Sequence, residues 1–392
     1  MGSVEVTPIS LPRDTVRFVK TWFPIYENDP HWVAPLLFER KRFFDPARNP
    51  YFKVARVQCF IATLDGRDVG TIAATVDEIY QEEEPGTGFF GFFEFVDDPE
   101  VARALLDAAR AWLAEQGMHR AIGPFNFNSN HEFGLLVDGF DSPPYIANPH
   151  NSAYFPGIYE KLGLRKVMDW YAYYCHSEMS GVKRMTRVGD RLLARHPEIT
   201  IRNLDLSRFD EEVEALKAIY RDAWEQNWGH VRVTDEEFVF LAEGLKQVID
   251  PEMCLVAEVD GKTAAISVTL PDMNQVLHKM KGRIFPFGWW HLLRRKKIIT
   301  RVRVFMLGVA KEYQSLPLGA ALYAQTFDTG RAKDIGRGEA SLILENNVRM
   351  RGALEKMGGH IYKTYRHYEI ETGAEIETQP GSVVRQKQGE SA

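Results

Sequence analysis

The sequence predicts an α/β (α+β) chain of two tandem lobes, and three observations carry that prediction. A pair of distant segments repeats at a constant offset, short apolar strand-like runs alternate with helical periodicities, and the chain is too large for one core. It has 392 residues, 45% of them hydrophobic, whereas single hydrophobic cores stop growing at about 250–300 residues.

The repeat comes first. "CFIATLDGRDVGTI" begins at Cys59 and "CLVAEVDGKTAAIS" at Cys254. Both alternate apolar residues, break at Asp-Gly followed by a basic residue, and resume as a strand, the pattern of a β-hairpin. "YEKLGLRKVMDWYAYY" from Tyr159 is echoed by "LEKMGGHIYKTYRHYE" from Leu354, a helix end, a glycine stop and an aromatic strand. Each pair is 195 residues apart. Equal spacing of two unrelated signals implies two copies of one domain, expected over 1–180 and 198–371 with the connection near 180–198.

In the first copy the order reads as a strand over 4–9, a helix over 11–26, the hairpin over 57–76 and the strand "FFGFFEF". Asp97 or Asp98 then caps a helix with Pro99 in its first turn. Val101, Leu105, Ala108, Ala109, Trp112 and Leu113 form its apolar stripe and Gly117 stops it. The strand "MHRAIGPF" follows. The second copy gives the strand "ITIRNL", helices over 209–224 and 235–248, the hairpin and the strand "VRVFMLGVA". A helix to Lys333, the strand "EASLILEN", a helix to Gly358 and a closing strand complete it. Each copy has a private insertion, residues 123–150 in the first and 271–300 in the second.

Composition narrows the function. With 48 basic and 54 acidic residues, net charge −6, the whole chain gives no reason to expect nucleic acid. Cys59, Cys175 and Cys254 lie far apart with no metal-ligand spacing, so neither a disulfide framework nor a metal site is expected. The N-terminus lacks a signal-peptide pattern, and no apolar run reaches the ~18 residues of a membrane span. A cytoplasmic location is expected. The polar stretch 372–392 is expected to be a disordered tail.

The segment "LGVAKEYQSLPLGAAL" followed by "ILENNVRMRGALEKMGG" resembles the GNAT acyltransferase superfamily. In that superfamily a Gln/Arg-x-x-Gly-x-Gly/Ala turn separates a strand from a helix, and Gln314, Pro317 and Gly319 fall at its three defined positions. The resemblance implies a mixed central sheet flanked by helices in each lobe. It also implies acyl-CoA as co-substrate, held at Leu307, Gly308, Val309, Gln314, Ser315, Leu316, Leu318, Gly319, Ala320, Asn346 and Asn347. Unpaired amides at a helix start and the helix dipole suit a pyrophosphate, and glycine lets it approach. Proline replaces the usual glycine at 317 and removes one donor from that cradle. The first copy offers Asp97, Asp98 and Glu100 at the matching place, charges that repel a pyrophosphate. Only the second lobe is therefore expected to hold coenzyme A, an asymmetry also found in protein N-myristoyltransferases and Fem-type peptidyl transferases. Over its whole length, through "GPFNFNSNHEFGLLVDGFDSPP", "PHNSAYFPGIYEKLGLRKVMDW" and "NWGHVRVTDEEF", the chain resembles the two-lobed GNAT-like proteins that include bacterial ceramide synthases.

Residues 279–303, "KMKGRIFPFGWWHLLRRKKIITRVR", carry nine Lys/Arg and no Asp/Glu, interleaved with aromatic and leucine residues. Such a segment suits peripheral contact with an anionic membrane. It also suits packing on the first lobe with solvated charges, or binding of nucleic acid or of the 3′-phosphate of coenzyme A.

Amide formation from a thioester needs a neutral amine, a route for its proton and a donor for the departing thiolate. The tyrosine that many GNAT enzymes use as that donor is replaced here by Leu354, while Tyr159 keeps the place in the first lobe. His150 and Glu132, in Gly/Pro/Asn-rich loops beside the first insertion, are the other catalytic candidates. A histidine of ordinary pKa ~6.5 can take an ammonium proton near neutrality. Trp224, Asn227, Trp228, His230 and Asn151 are the expected substrate contacts. The reading is an acyl-CoA-dependent N-acyltransferase acting on a long-chain or amphipathic amine, with a sphingoid base the sharpest form. A protein or peptide N-acyltransferase and a non-catalytic acyl-CoA-binding protein remain the alternatives.

Overall fold

The first half of the chain runs β1 (Glu5–Ile9), α1 (Thr15–Lys20), α2 (Trp22–Ile25), α3 (Leu37–Phe43), β2 (Ala55–Leu64), β3 (Arg67–Asp77), α4 (Glu78–Glu83), β4 (Thr87–Phe95), α5 (Pro99–Glu115), β5 (Arg120–Gly123), β6 (Phe125–Asn126), β7 (Glu132–Phe133), β8 (Leu135–Asp138), α6 (Phe155–Lys161) and β9 (Arg165–His176). The second half runs α7 (Val182–Arg195), β10 (Ile199–Asn203), α8 (Phe209–Trp224), α9 (Asp235–Lys246), β11 (Cys254–Val259), β12 (Lys262–Pro271), α10 (Asn274–Met280), α11 (Gly288–Leu293), α12 (Arg295–Ile298), β13 (Arg301–Val309), α13 (Leu318–Ala332), β14 (Arg337–Leu344), α14 (Val348–Met357) and β15 (His360–Glu371). The computed structural model describes residues 2–373. All but the first two residues of the expected tail, 372–392, lie outside them.

The repeat is visible in the architecture. β9 begins at residue 165 and β15 at residue 360, again 195 apart, and each has 12 residues. Both hairpins turn on Asp-Gly pairs with positive φ, 51° and 75° at Asp65-Gly66, 50° and 75° at Asp260-Gly261. That pair of left-handed residues matches the right-handed twist of the flanking strands.

The repeated halves do not keep separate sheets. Twelve strands run in the order β1-β2-β3-β4-β5-β15-β9-β14-β13-β12-β11-β10, with β8 added on β15. The closing strand of each copy lies in the other's sheet: β15 pairs with β5, and β9 pairs with β14. β9 and β15 pair antiparallel with each other from Arg165–Glu369 to Tyr174–His360. Nothing in a strand's own sequence says which copy's edge it joins, so the exchange was not visible in the repeat. Its consequence is mechanical, because parting the lobes requires breaking strand ladders.

Two local expectations change. The helix expected over 11–26 is two short helices, α1 and α2, with Leu11–Pro12 outside them. The connection near 180–198 is the 14-residue helix α7. Its buried Val182, Met185, Gly189 and Leu192 follow helical spacing, a stripe masked by four Lys/Arg among the residues between. At Gly189 an added Cβ would stand 3.0 Å from Ala321 Cα, so glycine lets α7 approach α13 closely.

The N-terminal core is strongly aromatic, with Phe18, Phe44, Phe92, Phe95 and Phe155 packed on β2–β4 and α5. The core between α7, α13 and the β10–β12 face is smaller and built on Leu192, Leu255, Leu318 and Leu322.

Candidate active site

β13 and β14 are parallel and pair only from Arg301–Arg337 to Val304–Ala340. Beyond that point the ladder ends, although β13 continues to Val309 and β14 to Leu344. The strands part into a wedge whose walls carry Phe305, Leu307, Gly308 and Val309 on one side and Leu342 and Ile343 on the other. Unpaired strand edges inside a protein need partners, and an extended amide-bearing chain can supply them.

α13 starts at the open end of the wedge. Pro317 precedes its first residue with φ −77° and ψ 44°, and no side chain caps it. The Leu318 and Gly319 amides therefore head the helix without an intrahelical acceptor. A Cβ added to Gly319 would meet only Leu307 Cδ2, at 3.6 Å, an ordinary contact. Packing does not require glycine there, and its bare backbone borders the cavity. Arg349 holds this turn through a 2.9 Å bond from Nη2 to the Gln314 carbonyl and adds positive charge. These groups fit a pyrophosphate by their chemistry.

The equivalent place in the first lobe is filled. β4 and β5 pair from Thr87–Arg120 to Phe89–Ile122, but the chain after β5 occupies the gap that follows. A Cβ on Gly91 would lie 1.8 Å from the Phe125 carbonyl oxygen, and the Phe92 amide donates to Asn126 Oδ1 at 2.6 Å. Asp98 caps α5 by accepting from the Glu100 amide at 2.9 Å, so the donors that would face a phosphate there meet a carboxylate.

The open wedge leads into one cavity of about 1120 Å³ bounded by both lobes. The ligand pockets of most proteins are ~300–1,000 Å³ and mostly apolar. Polar groups of both halves line it, and those of the N-terminal half include a histidine and several acids. His150 Nε2 lies 2.8 Å from Asp29 Oδ2. Burial alone would raise the Asp29 carboxyl, but the His150 ring and the His31 amide outweigh it and hold it below the usual carboxylate range. An ionised Asp29 accepts the Nε2 proton, and the buried His150 Nδ1 has no partner among the described residues.

Glu132 is clamped by Arg40, whose Nη2 reaches Oε1 at 3.1 Å and Oε2 at 3.2 Å. Burial works against the Arg40 charge, yet Glu132 and Glu39 keep the guanidinium above its ordinary range. Nearby, Glu94 accepts the Tyr26 hydroxyl. Burial, with the Glu132 charge adding to it, pushes the Glu94 carboxyl up to about 8. His131 stands 3.6 Å from Glu237, but this is not an ion pair. Burial and then Arg40 push His131 down to about 3, while burial and then Asp77 raise Glu237 to about 8. Near neutral pH both are uncharged.

Most residues singled out in the sequence meet here. Glu132, His150, Trp224, Asn227, Trp228 and His230 border the cavity, as do Leu307, Gly308, Val309, Gln314, Leu316, Gly319, Ala320 and Asn347. Trp224 lies across β13, since a Cβ on Gly308 would come within 2.6 Å of its ring. Five fall outside the lining. Ser315 and Asn346 are turn residues beside it, and Leu318 is buried beneath α13. Asn151 is a backbone brace, accepting the Leu136 amide at 2.7 Å and donating to the Leu136 carbonyl at 3.0 Å. Tyr159, the first lobe's catalytic candidate, sits fully buried in the core. Its ring packs on Phe93 and Tyr368, its hydroxyl has no partner among the described residues, and burial holds that hydroxyl's pKa well above its ordinary range.

Asp29, Arg40 and Glu94 were not anticipated. Arg40 sits in an ordinary amphipathic helix and Asp29 in a loop, and neither stands in a motif. Glu94 carried one usable signal, as the only charged residue in the strand "FFGFFEF". Among the described residues, no group of three or more His, Cys, Asp or Glu could hold a metal ion, and no helix is long and apolar enough to cross a membrane.

A sheet opened at one parallel strand pair and closed at its repeat is a two-lobed, tandem GNAT-like fold. The chain is similar in fold to a tandem GNAT protein from the clavulanic acid biosynthesis pathway. That match has a TM-score of 0.58 at 12% identity and covers 95% of this chain and 100% of the other. No family model matches the sequence. The chain is 38% identical to the bacterial ceramide synthase of Caulobacter vibrioides over 378 residues, 94% of this chain and 97% of that protein. It is 35% identical to protein YghO of Escherichia coli K12, over 91% of this chain and 92% of the other. The chain belongs to the family of these bacterial ceramide synthase-like proteins.

Proposed function

We propose that the protein transfers a long acyl group from acyl-CoA to the nitrogen of a long-chain or amphipathic amine, with a sphingoid base the sharpest candidate and a ceramide-type amide as product. One observation carries the reading. The wedge between β13 and β14, headed by the bare turn at Gly319, opens into an apolar cavity larger than a drug-sized ligand needs. The relative named bacterial ceramide synthase supports the sphingoid form.

In this reading acyl-CoA supplies an activated thioester carbonyl. The Leu318 and Gly319 amides hold its phosphates, and the cavity takes the alkyl chains. The amine arrives as an ammonium ion and must lose a proton before its lone pair can attack. His150 Nδ1 accepts that proton while Asp29 steadies the resulting imidazolium. The carbon–nitrogen bond forms as the carbon–sulfur bond breaks, the second proton shed by the nitrogen passes to the departing sulfur, and coenzyme A leaves as thiol. Arg40 and Glu132 fix the loop that carries this wall. Trp224, Trp228 and His230 line the acceptor side. A peripheral position on an anionic membrane, through residues 279–303, belongs to the same reading.

The test is thiol release from palmitoyl-CoA by purified protein, alone and with a sphingoid base or a lysine-bearing peptide, with products identified by mass spectrometry. Amine-dependent release with an N-acyl lipid is the expected result. Product on the peptide alone would move the acceptor to proteins. Tight acyl-CoA binding without turnover over a broad amine panel would leave a binding protein.

A further inference from the structure

The second lobe's insertion has two faces with different surroundings. Its inner side is packed: Val276 and Met280 pack with Leu36, and Leu277, Ile284 and Leu292 join that cluster. Gly282 lies against Phe23 and Ala34, where an added Cβ would stand 3.1–3.2 Å away. Its outer side is bare. Phe285 is 77% exposed, Phe287 76% and Leu293 70%, with Trp289 and Trp290 close to half exposed. Five large apolar side chains within nine residues exceed the scatter normal for a protein surface.

Charge surrounds this apolar face. Each of the seven Lys/Arg residues between 279 and 297 is exposed. Among the described residues none of the seven forms an ion pair with a carboxylate, although Arg294 lies 5.9 Å over the Trp290 ring. Elsewhere the cations are commonly paired, as at Arg202–Glu212 and Lys333–Asp250. Unpaired cations around exposed aromatics complement an anionic lipid surface, with rings at headgroup depth and cations against phosphates.

The same segment borders the cavity. Ile284, Leu292 and Arg295 line it, together with Phe38 of α3, itself 57% exposed. The basic aromatic face therefore adjoins exposed residues of the cavity wall.

We propose that α10–α12 dock the enzyme on an anionic bilayer with the cavity entrance turned to the lipid, so that an amphipathic acceptor enters sideways past Phe38, Ile284 and Leu292. The entry route rests on the proposed lipid acceptor; the docking does not. An aliphatic chain then moves from bilayer to cavity without crossing water, while acyl-CoA reaches the wedge from the α13 side.

Two variants test this: Phe287→Ser with Leu293→Ser, and Lys296→Glu with Lys297→Glu, all at exposed positions outside the cavity lining. Co-sedimentation uses vesicles of phosphatidylglycerol with phosphatidylcholine, or phosphatidylcholine alone. The wild type is expected to bind the anionic vesicles at least tenfold more tightly, and each double variant to lose most of that binding. Equal binding to both vesicle types, or full binding by both variants, overturns the docking; so does competition of a short duplex RNA for the same face with no vesicle binding. The variants are also expected to turn over a vesicle-embedded long-chain amine at least tenfold more slowly while keeping their rate on a short, water-soluble amine. A parallel fall on both amines overturns the lateral route. If no amine is acylated by the wild type, the acyltransfer reading has failed, and vesicle binding still decides the docking.

Discussion

His150 donates through Nε2 to Asp29 Oδ2 across 2.8 Å, joining residues 121 positions apart in the chain. The carboxylate orients the ring and leaves Nδ1 as the nitrogen free to meet a substrate. A histidine that merely closed a turn would not need a partly buried acid behind it. His150→Gln is expected to lower kcat by about 10²–10⁴, the usual share of general acid–base catalysis. Asp29→Asn keeps the shape but allows the wrong tautomer, and should lower kcat with little change in KM for the amine. A pH–rate profile separates the cases. If His150→Gln keeps the wild-type rate and pH dependence, the dyad is structural.

Gly319→Trp should abolish measurable acyl-CoA binding by calorimetry while leaving the thermal transition near that of the wild type. The first Cβ of a new side chain finds only Leu307 Cδ2, at 3.6 Å, so the fold tolerates the position and the remaining ring must occupy the cavity. Unchanged affinity would mean that the α13 turn holds no phosphate.

Much of this arrangement was legible in the sequence, and the part that was not has a common cause. Local signals carried far: Asp65-Gly66 and Asp260-Gly261 announced their hairpins, Pro99 and Asp98 their helix start, and Gln314 to Gly319 the turn at α13. What escaped was pairing between distant segments. The exchange of β9 and β15 depends on which sheet edge is free, and the contact of Asp29 with His150 depends on how a loop is laid across the cavity. α7 was missed for another reason, since its buried stripe of Val182, Met185, Gly189 and Leu192 is diluted by exposed cations. Tyr159 is the converse case. Its position matches a GNAT tyrosine, but here the gap beside β4 is filled by Phe125 and Asn126.

Tyr159→Phe follows from that placement. Its hydroxyl is buried with no partner among the described residues, and an unpaired buried polar group costs about 1–3 kcal/mol. Removing the hydroxyl keeps the ring against Phe93 and Tyr368. Stability in urea is expected to rise by about 1 kcal/mol, with kcat unchanged. A loss of activity greater than tenfold would return Tyr159 to the reaction.

Glu94 makes stability depend on pH, and the sign follows from its raised pKa of about 8. An unfolded glutamate releases its proton near ~4.3, whereas the folded carboxyl, buried beside Glu132 and Tyr26, holds it to about 8. Between those values the native state binds a proton that the unfolded chain has lost. The stability linked to this proton is fully present below the lower value, declines as pH rises through the window, and is gone above the upper one. Gln in place of Glu cannot ionise and keeps the size and polarity of the acid. Glu94→Gln should therefore gain Tm relative to the wild type as pH is raised from 5 to 8.5, with the two curves closest at the acid end. A Tm difference constant across that range would show that Glu94 is already ionised in the folded protein, and that the Tyr26 hydroxyl donates to a carboxylate at neutral pH.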